Sequence, residues 1–314
     1  MKKIAALLLL ITAAPEIYAQ SQDTGSGLDF LTIGPTAKML SLGEATTATP
    51  LGPASMFSNP ALLVFDDQSN LDLNYTLWVS GVNNQFAAVN FPGNMHSFAL
   101  GFYNSRSDGL SGSNQPGGSS GINYLSLSAS GSFQLGPFSA GLMAQYLREQ
   151  VFQFRANGYA FTGGISTSIM DERIRFGTVL QNIGRMQELD NISTDLPATF
   201  KAGMMANVVE FTTPGENDLP LLVGIHADYI IPLNDRSGSD FIDGEDGDHF
   251  FVTAISTTAA DLFYLQGSYK FGPTERPVSF GAGVTVEPIR INYALIPFTT
   301  GYGTSHSFGM QFYF

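Results

Sequence analysis

From Leu71 to Phe314, apolar and polar residues alternate in one short stretch after another. Successive side chains of a strand point to opposite faces, so each such stretch predicts a strand with one apolar and one polar face. The last is the cleanest: Phe308, Met310, Phe312 and Phe314 share one face, and Ser307, Gly309, Gln311 and Tyr313 the other. In the first, Leu71, Leu73, Tyr75, Leu77 and Val79 oppose Asp72, Asn74 and Thr76. In the fourth, Leu125, Leu127, Ala129, Phe133 and Leu135 oppose a ladder of serines from Ser126 to Ser132. In the ninth, Val223, Ile225, Ala227, Tyr229 and Ile231 oppose His226 and Asp228. Fourteen strands are predicted, near 71–79, 82–91, 95–104, 122–135, 137–150, 158–170, 172–183, 197–209, 219–232, 249–259, 261–271, 277–287, 288–297 and 305–314. The stretch 82–91 alternates poorly.

The connections alternate too. Gly136-Pro137, Met170-Asp171, Ala260 and Glu287-Pro288 read as tight turns, whereas 105–121, 184–196 and 233–248 are long and rich in Gly, Ser and Asp. If the strands are consecutive and antiparallel, the long connections fall at one end. That is the pattern of an up-and-down barrel crossing a membrane, with short turns in the periplasm and long loops outside. An even count returns both ends of the chain to the periplasmic side. The exception is 210–218, a longer connection on the short-turn side. The expected fold is therefore all-β, a transmembrane antiparallel barrel of about fourteen strands. A secreted sandwich would also alternate; a propeller would show a repeat of roughly 40–50 residues, which is absent.

Composition agrees with a lipid-facing surface. Charged residues are 13%, with 34 Gly and 25 Phe, against roughly 25% charged in soluble domains. No apolar run is long enough for a membrane helix, so a spanning chain of this kind must close into a barrel. At the N-terminus, Lys2 and Lys3, the apolar run 4–14 and a small residue at Ala19 read as a secretory signal, residues 1–19. The net charge of −13 disfavours nucleic acid. The absence of Cys excludes disulfides and thiolate metal sites. Residues 20–70 precede the barrel, 71–314. Within them, 28–64 is rich in Gly, Ala and Thr, contains Pro35, Pro50 and Pro53, and has no clean period. It reads as a plug or cover at the barrel mouth.

Candidate chemistry is sparse. Asp240, Asp243, Glu245, Asp246 and Asp248 crowd one external loop and could offer oxygen ligands to Ca²⁺, but their spacing does not match the twelve-residue calcium loop, and a solvated acidic loop is the favoured reading. His96, His226, His249 and His306 show no metal spacing; His226 and Asp228 read as a hydrogen-bonding pair of the lumen. Arg173 and Arg175 share the polar face of the seventh strand. No nucleophile elbow, phosphate loop or His-Glu-x-x-His is present, so no enzyme activity and no cofactor are expected.

Phe30-Leu31-Thr32-Ile33-Gly34, Ala37-Lys38, Leu42-Gly43-Glu44-Ala45 and Asn59-Pro60-Ala61-Leu62-Leu63 resemble the opening of the PorV/PorQ family. Those are outer-membrane barrels with a FadL-like fold, about fourteen strands and a tucked-in N-terminal segment. The ending Asn292-Tyr293-Ala294, Pro297-Phe298, Gly301 and His306 is similar to that family's last strands. Two departures stand out: Lys38 where the family often has Arg, and Thr49-Pro50-Leu51-Gly52 where it often has acidic residues before Asn-Pro-Ala. The resemblance implies a role in type IX secretion. The barrel would carry cargo bearing a C-terminal signal domain to the cell surface. Its partners would be outer-membrane lipid, the barrel assembly machinery, and cargo or translocon. Phe30, Leu31, Gly34, Lys38, Gly43, Asn59, Pro60 and Ala61 would form the plug motif. Leu110, Phe241, Phe298 and Tyr302 are candidate cargo contacts at the external rim, and Phe312 and Phe314 a candidate assembly signal. The expected location is the outer membrane of a Bacteroidetes-like Gram-negative cell. The alternative is a FadL-like channel taking up hydrophobic small molecules; the serine ladder, if it faces inward, disfavours a greasy lumen.

Overall fold

A computed structural model describes residues 28–107, 121–189, 195–212, 220–233, 249–272, 274–299 and 301–314. All fourteen strands form: β1 (Asn70–Leu77), β2 (Val82–Pro92), β3 (His96–Ser107), β4 (Ile122–Leu135), β5 (Phe138–Val151), β6 (Phe154–Ile169), β7 (Ile174–Met186), β8 (Thr199–Thr212), β9 (Pro220–Pro232), β10 (Phe250–Ala259), β11 (Phe263–Phe271), β12 (Val278–Val286), β13 (Ile289–Pro297) and β14 (Thr304–Tyr313). Each pairs antiparallel with its sequence neighbours. β1 then closes on β14, with Asn70 opposite Tyr313 and Leu77 opposite His306. Closure leaves no sheet edge unpaired, which a strand in lipid requires.

The alternation is oriented as for a membrane. On β1, Leu73, Tyr75 and Leu77 are exposed, while Asp72, Asn74 and Thr76 are buried. On β14 the phenylalanines and Met310 face out, and Ser307 and Gln311 face in. Ser126, Ser128, Ser130 and Ser132 are also buried, so the serine ladder lines the interior. A water-soluble protein would show the reverse; here the apolar face is the lipid-facing surface.

The order of the strands puts the connections 108–121, 187–198 and 233–249 at one end. The turns 93–95, 136–137, 170–173, 260–262 and 287–288 lie at the other, together with 213–219. Two expectations need correction. The gap expected between the fifth and sixth strands is closed: β5 runs to Val151, β6 begins opposite it at Phe154, and Phe152 and Gln153 form the hairpin tip at the long-loop end. Arg173 is not on a strand face but exposed in the turn before β7. Only Arg175 points inward, ion-paired to Glu172 at 3.1 Å with its guanidinium 4.1 Å from the Phe65 ring centroid.

Residues 28–65 lie inside the barrel. They form a 3₁₀ turn (Asp29–Thr32), two short α-helices (Ala37–Ser41, Ser55–Ser58) and a second 3₁₀ segment (Pro60–Phe65). These pieces are too short to be stable alone; the wall holds them. The described part of the segment begins near the long-loop end, where Phe30 packs on Tyr103 and Tyr124. It descends past Gln311 and leaves at the short-turn end, where Asp66 accepts a hydrogen bond from Asn90. This filling explains the poor alternation of 82–91. β2 does alternate in burial, but its inward Phe86 and Ala88 meet an apolar segment rather than water.

Candidate functional site

The site is the filled lumen. Its middle part is fitted to the wall by missing side chains. A Cβ on Gly141 would fall on the backbone of Pro60 and Ala61, one on Gly164 on the Asn59 amide, one on Gly177 on the Thr47 carbonyl, and one on Gly281 on Ser41. Real Cβ atoms do not approach so closely, so these four inward positions on β5, β6, β7 and β12 accept glycine alone while the segment stays in place.

Polar contacts fix the same part. Asn59 is fully buried and caps the 3₁₀ segment by accepting from the Ala61 N–H at 3.1 Å. Its amide donates to the carbonyls of Thr47 (2.8 Å) and Ile165 (3.2 Å), and Pro60 follows where no N–H is needed. One carboxylate oxygen of Asp228 accepts from the Thr46 N–H (2.9 Å), the Thr47 N–H (2.9 Å) and the Thr47 hydroxyl (2.6 Å). His226 contacts Thr49 Oγ1 at 2.8 Å and Ser256 Oγ at 2.9 Å. The expected pair on β9 thus works as two separate anchors for the inserted segment. Gln181 donates to the carbonyls of Phe57 and Ser58.

Nearer the long loops the filling changes character. The Phe30 ring lies 5.4 Å from that of Tyr124, nearly parallel, and 5.2 Å from that of Tyr103. Phe57 meets Phe86 edge-on at 5.4 Å. These rings join Met143 and Leu147 in one apolar cluster on the β2–β5 side. The opposite side is charged. Glu44, itself in the left-handed region at φ 69°, accepts from the Gly34 N–H at 2.8 Å, from both Arg276 amino groups at 3.0 and 3.2 Å, and from Lys270 Nζ at 3.2 Å. Burial pushes the Glu44 carboxyl up, but Arg276, Lys270, Lys201 and the Gly34 N–H together hold it well below the usual carboxylate range. A cavity of about 40 Å³ lies here, bordered by Leu31, Thr32, Glu44, Lys201, Lys270 and Arg276.

At the short-turn end a cleft of about 410 Å³ opens between Asp66, Asp67, Arg290 and Tyr313. Burial raises Asp66 to about 7 against the pull of Lys38. Burial and Arg290 lower Lys38 to about 8 against the pull of Asp66 and Asp72. Lys38 therefore meets acidic neighbours without the acidic residues missing at 49–52.

The candidates read from sequence separate accordingly. Phe30, Leu31, Gly34, Lys38, Gly43, Asn59, Pro60 and Ala61 all lie in the inserted segment; Gly34 and Gly43 (φ 58°) pack closely against Met39 and Ser268, respectively. Phe298 packs edge-on against Trp78 at the long-loop end, Tyr302 is exposed there, and Phe312 and Phe314 face lipid. Leu110, Phe241 and the acidic residues Asp240, Asp243, Glu245, Asp246 and Asp248 lie outside the described residues. Among the described residues no three His, Asp or Glu side chains gather as a metal site. Lys201, Lys270 and Arg276 were missed as a group. The available signal was parity: Lys270 stands alone as a charge in β11, in step with inward Gln266.

No protein-family model and no curated protein matches the chain. Among solved structures, it is similar to the toluene transporter TbuX of Ralstonia pickettii, with TM-score 0.52 and 12% identity over 90% of this chain and 98% of that one. It is similar also to the toluene transporter TodX of Pseudomonas putida, with TM-score 0.52 and 12% identity over 89% and 98%. At that identity the likeness is one of fold, and the fold is the FadL-like one: a closed fourteen-stranded transmembrane barrel of the outer-membrane type.

Proposed function

We propose that this barrel sits in the outer membrane of a Gram-negative cell and passes hydrophobic small molecules. The observation that carries this reading is the aromatic cluster around Phe30. An apolar pocket already exists in the long-loop half of the lumen, and the first stretch of the inserted segment occupies it. If residues 28–33 withdraw, Tyr103 and Tyr124 offer an apolar solute the ring surface that Phe30 now covers, beside Phe86 and Met143 of the same apolar cluster. Apolar pockets with a few placed polar groups are the common form of small-molecule sites. The shared fold of two toluene transporters supports the same reading. The test is uptake of labelled toluene and of a long-chain fatty acid by cells lacking the gene. Several-fold slower uptake, restored by the intact gene, is expected; uptake unchanged by the deletion sinks the proposal.

A second reading has its own observation. The middle of the lumen is closed by a segment seated in glycine notches, which favours a barrel that acts through its surface. It would then serve type IX secretion as a PorV/PorQ-like cargo shuttle, with Phe298 and Tyr302 near the contact. Detergent pull-down from the native membrane separates the two: cargo with a shared C-terminal signal domain favours the shuttle, and a lone barrel carrying lipid favours the channel.

A further inference from the structure

Among the described strands, outward basic residues gather on one part of the wall. β1, β2 and β8–β14 contain three basic residues in their strands, Lys201, Lys270 and Arg290, and all three face the lumen or its clefts. On β3–β7, by contrast, Arg106, Arg148, Arg155 and Arg185 occupy outward positions toward the long-loop end. The register sets them in rows. Arg106 lies opposite Asn123, Asn123 opposite Gln150, and Gln150 opposite Arg155. One step toward the membrane, Leu125 lies opposite Arg148 and Arg148 opposite Asn157. One step further, Tyr146 lies opposite Tyr159, and Tyr159 opposite Arg185. Tyr146 and Tyr159 are exposed beside the apolar band of Leu142 and Phe161, as interface aromatics are.

The arginines thus stand at and just above an aromatic girdle, at the level of lipid headgroups. Within the five strands as described, the one acidic side chain, Glu149, points inward and is buried. Across β3 to β6 the patch spans about 15 Å, and planar guanidinium groups bind phosphate oxygens in pairs. On the opposite wall at this height stand Tyr229, Phe251 and Phe271, with His249 bonded to Tyr229 and no Lys or Arg outward among the described strand residues. Basic clusters beside a membrane surface recognise anionic headgroups.

We propose that the outward wall of β3–β7 binds a phosphorylated lipid headgroup of the outer leaflet, with Arg148 and Arg155 at the centre of the site and Arg106 and Arg185 at its edges. The site is independent of what the lumen carries.

The test uses the purified full barrel in detergent. It is titrated with bisphosphorylated lipid A, with the same lipid stripped of phosphate, and with inorganic phosphate, and binding is read by native mass spectrometry. The phosphorylated lipid should bind at least tenfold more tightly than the stripped lipid. The double variant Arg148→Gln/Arg155→Gln should reduce it to the stripped level, while Arg173→Gln, at the other end, leaves it unchanged. Should the double variant not yield a heat-modifiable folded barrel, Arg106→Gln/Arg185→Gln serves instead, with at least threefold loss expected. Binding within twofold of wild type in the folded variant overturns the proposal. So does equal binding of the stripped lipid, or inorganic phosphate binding as tightly as the lipid and displacing it.

Discussion

The inserted segment has two parts that are held differently. From Ser41 to Ala61 it is matched to the barrel atom by atom, through glycine notches and through Asp228, His226 and Gln181. From Leu28 to Ile33 it rests mainly on apolar and ring contacts, with the Ile33 carbonyl accepting from the Tyr103 hydroxyl at 3.3 Å. Glycine notches and hydrogen bonds to buried carboxylates are specific and are lost together. Apolar contacts exchange readily for those of another apolar molecule. The first part is therefore part of the barrel's structure, and the second is the part a ligand can replace.

The largest effect should come from filling a notch. Gly141→Leu and Gly164→Leu drive a side chain into the backbone or side chain of Asn59–Ala61, which has nowhere to move. Overpacking costs about 1–3 kcal/mol where neighbours can relax; here the added atoms fall on the Pro60–Ala61 backbone and the buried Asn59 amide, so the cost exceeds that range and loss of the heat-modifiable folded form is expected for both. Gly131→Leu is the control. It faces outward, where a Cβ would meet only the Phe98 ring at 3.5 Å, and its melting temperature should stay near wild type. Equal damage by all three would mean that the notches are not what fits the segment to the wall.

Glu44 joins the two parts. Glu44→Gln leaves Lys270 and Arg276 buried without their shared counter-charge, and breaking a buried pair costs about 3–5 kcal/mol. Its pH dependence has a definite sign. The carboxyl is held below its ordinary value of 4.5, so its stabilisation is complete above that pH and fades as pH falls below it. The gap between wild type and variant in detergent unfolding should be constant from pH 5 to 7 and narrow below 4.5. A gap that widens on acidification would contradict the assigned pairing.

The barrel was legible in the sequence because each strand writes its own two faces. Leu73, Asp72 and Asn74 need no distant partner to be assigned. What fills a barrel is written at long range. Asn59 meets Gly164 and Glu44 meets Arg276 only after closure, and no local pattern links them. The β5–β6 tip was misread for a related reason. Beyond the aromatic girdle neither face of those strands is apolar throughout, so alternation fades at Arg148 while the hydrogen-bond ladder continues to Val151.

Removing the ring at the upper end should have a small effect on the whole and a larger one locally. Phe30→Ala deletes a core side chain, a change of about 3–5 kcal/mol when it is felt globally. The stretch 28–33 can open without the notched part, so local release should absorb much of that loss. The expected result is a melting temperature lowered by only a few degrees, faster protease cleavage near Phe30, and uptake of apolar solutes raised rather than lowered. A collapse in stability comparable with Gly164→Leu would erase the distinction between the two parts.

The smallest effect lies where the segment leaves the barrel. Asp66 is half-buried beside Lys38 and accepts from the Asn90 side chain at 2.7 Å. Its folded value of about 7 stands above the ordinary 3.8. Protonated Asp66 is therefore the form the fold prefers: the contribution is full below pH 3.8 and is lost as pH rises through 7. Lys38, lowered to about 8, has the opposite sign, with a contribution full above its ordinary value of 10.5 and lost as pH falls through 8. The exit cleft thus passes from a protonated Asp66 beside a charged Lys38 below about pH 7, through a narrow interval in which both are charged, to an ionised Asp66 beside a neutral Lys38 above about pH 8. Asp66→Asn fixes the first condition. Its stability between pH 5 and 7 should be flatter than wild type, with the difference growing up to about pH 7 and level above it, and the melting temperature of Gly131→Leu should track wild type throughout. Parallel curves for Asp66→Asn and wild type across that range would mean that the carboxyl at the exit titrates as in water, and that the closing contacts of the inserted segment rest on Asn59 and the notches alone.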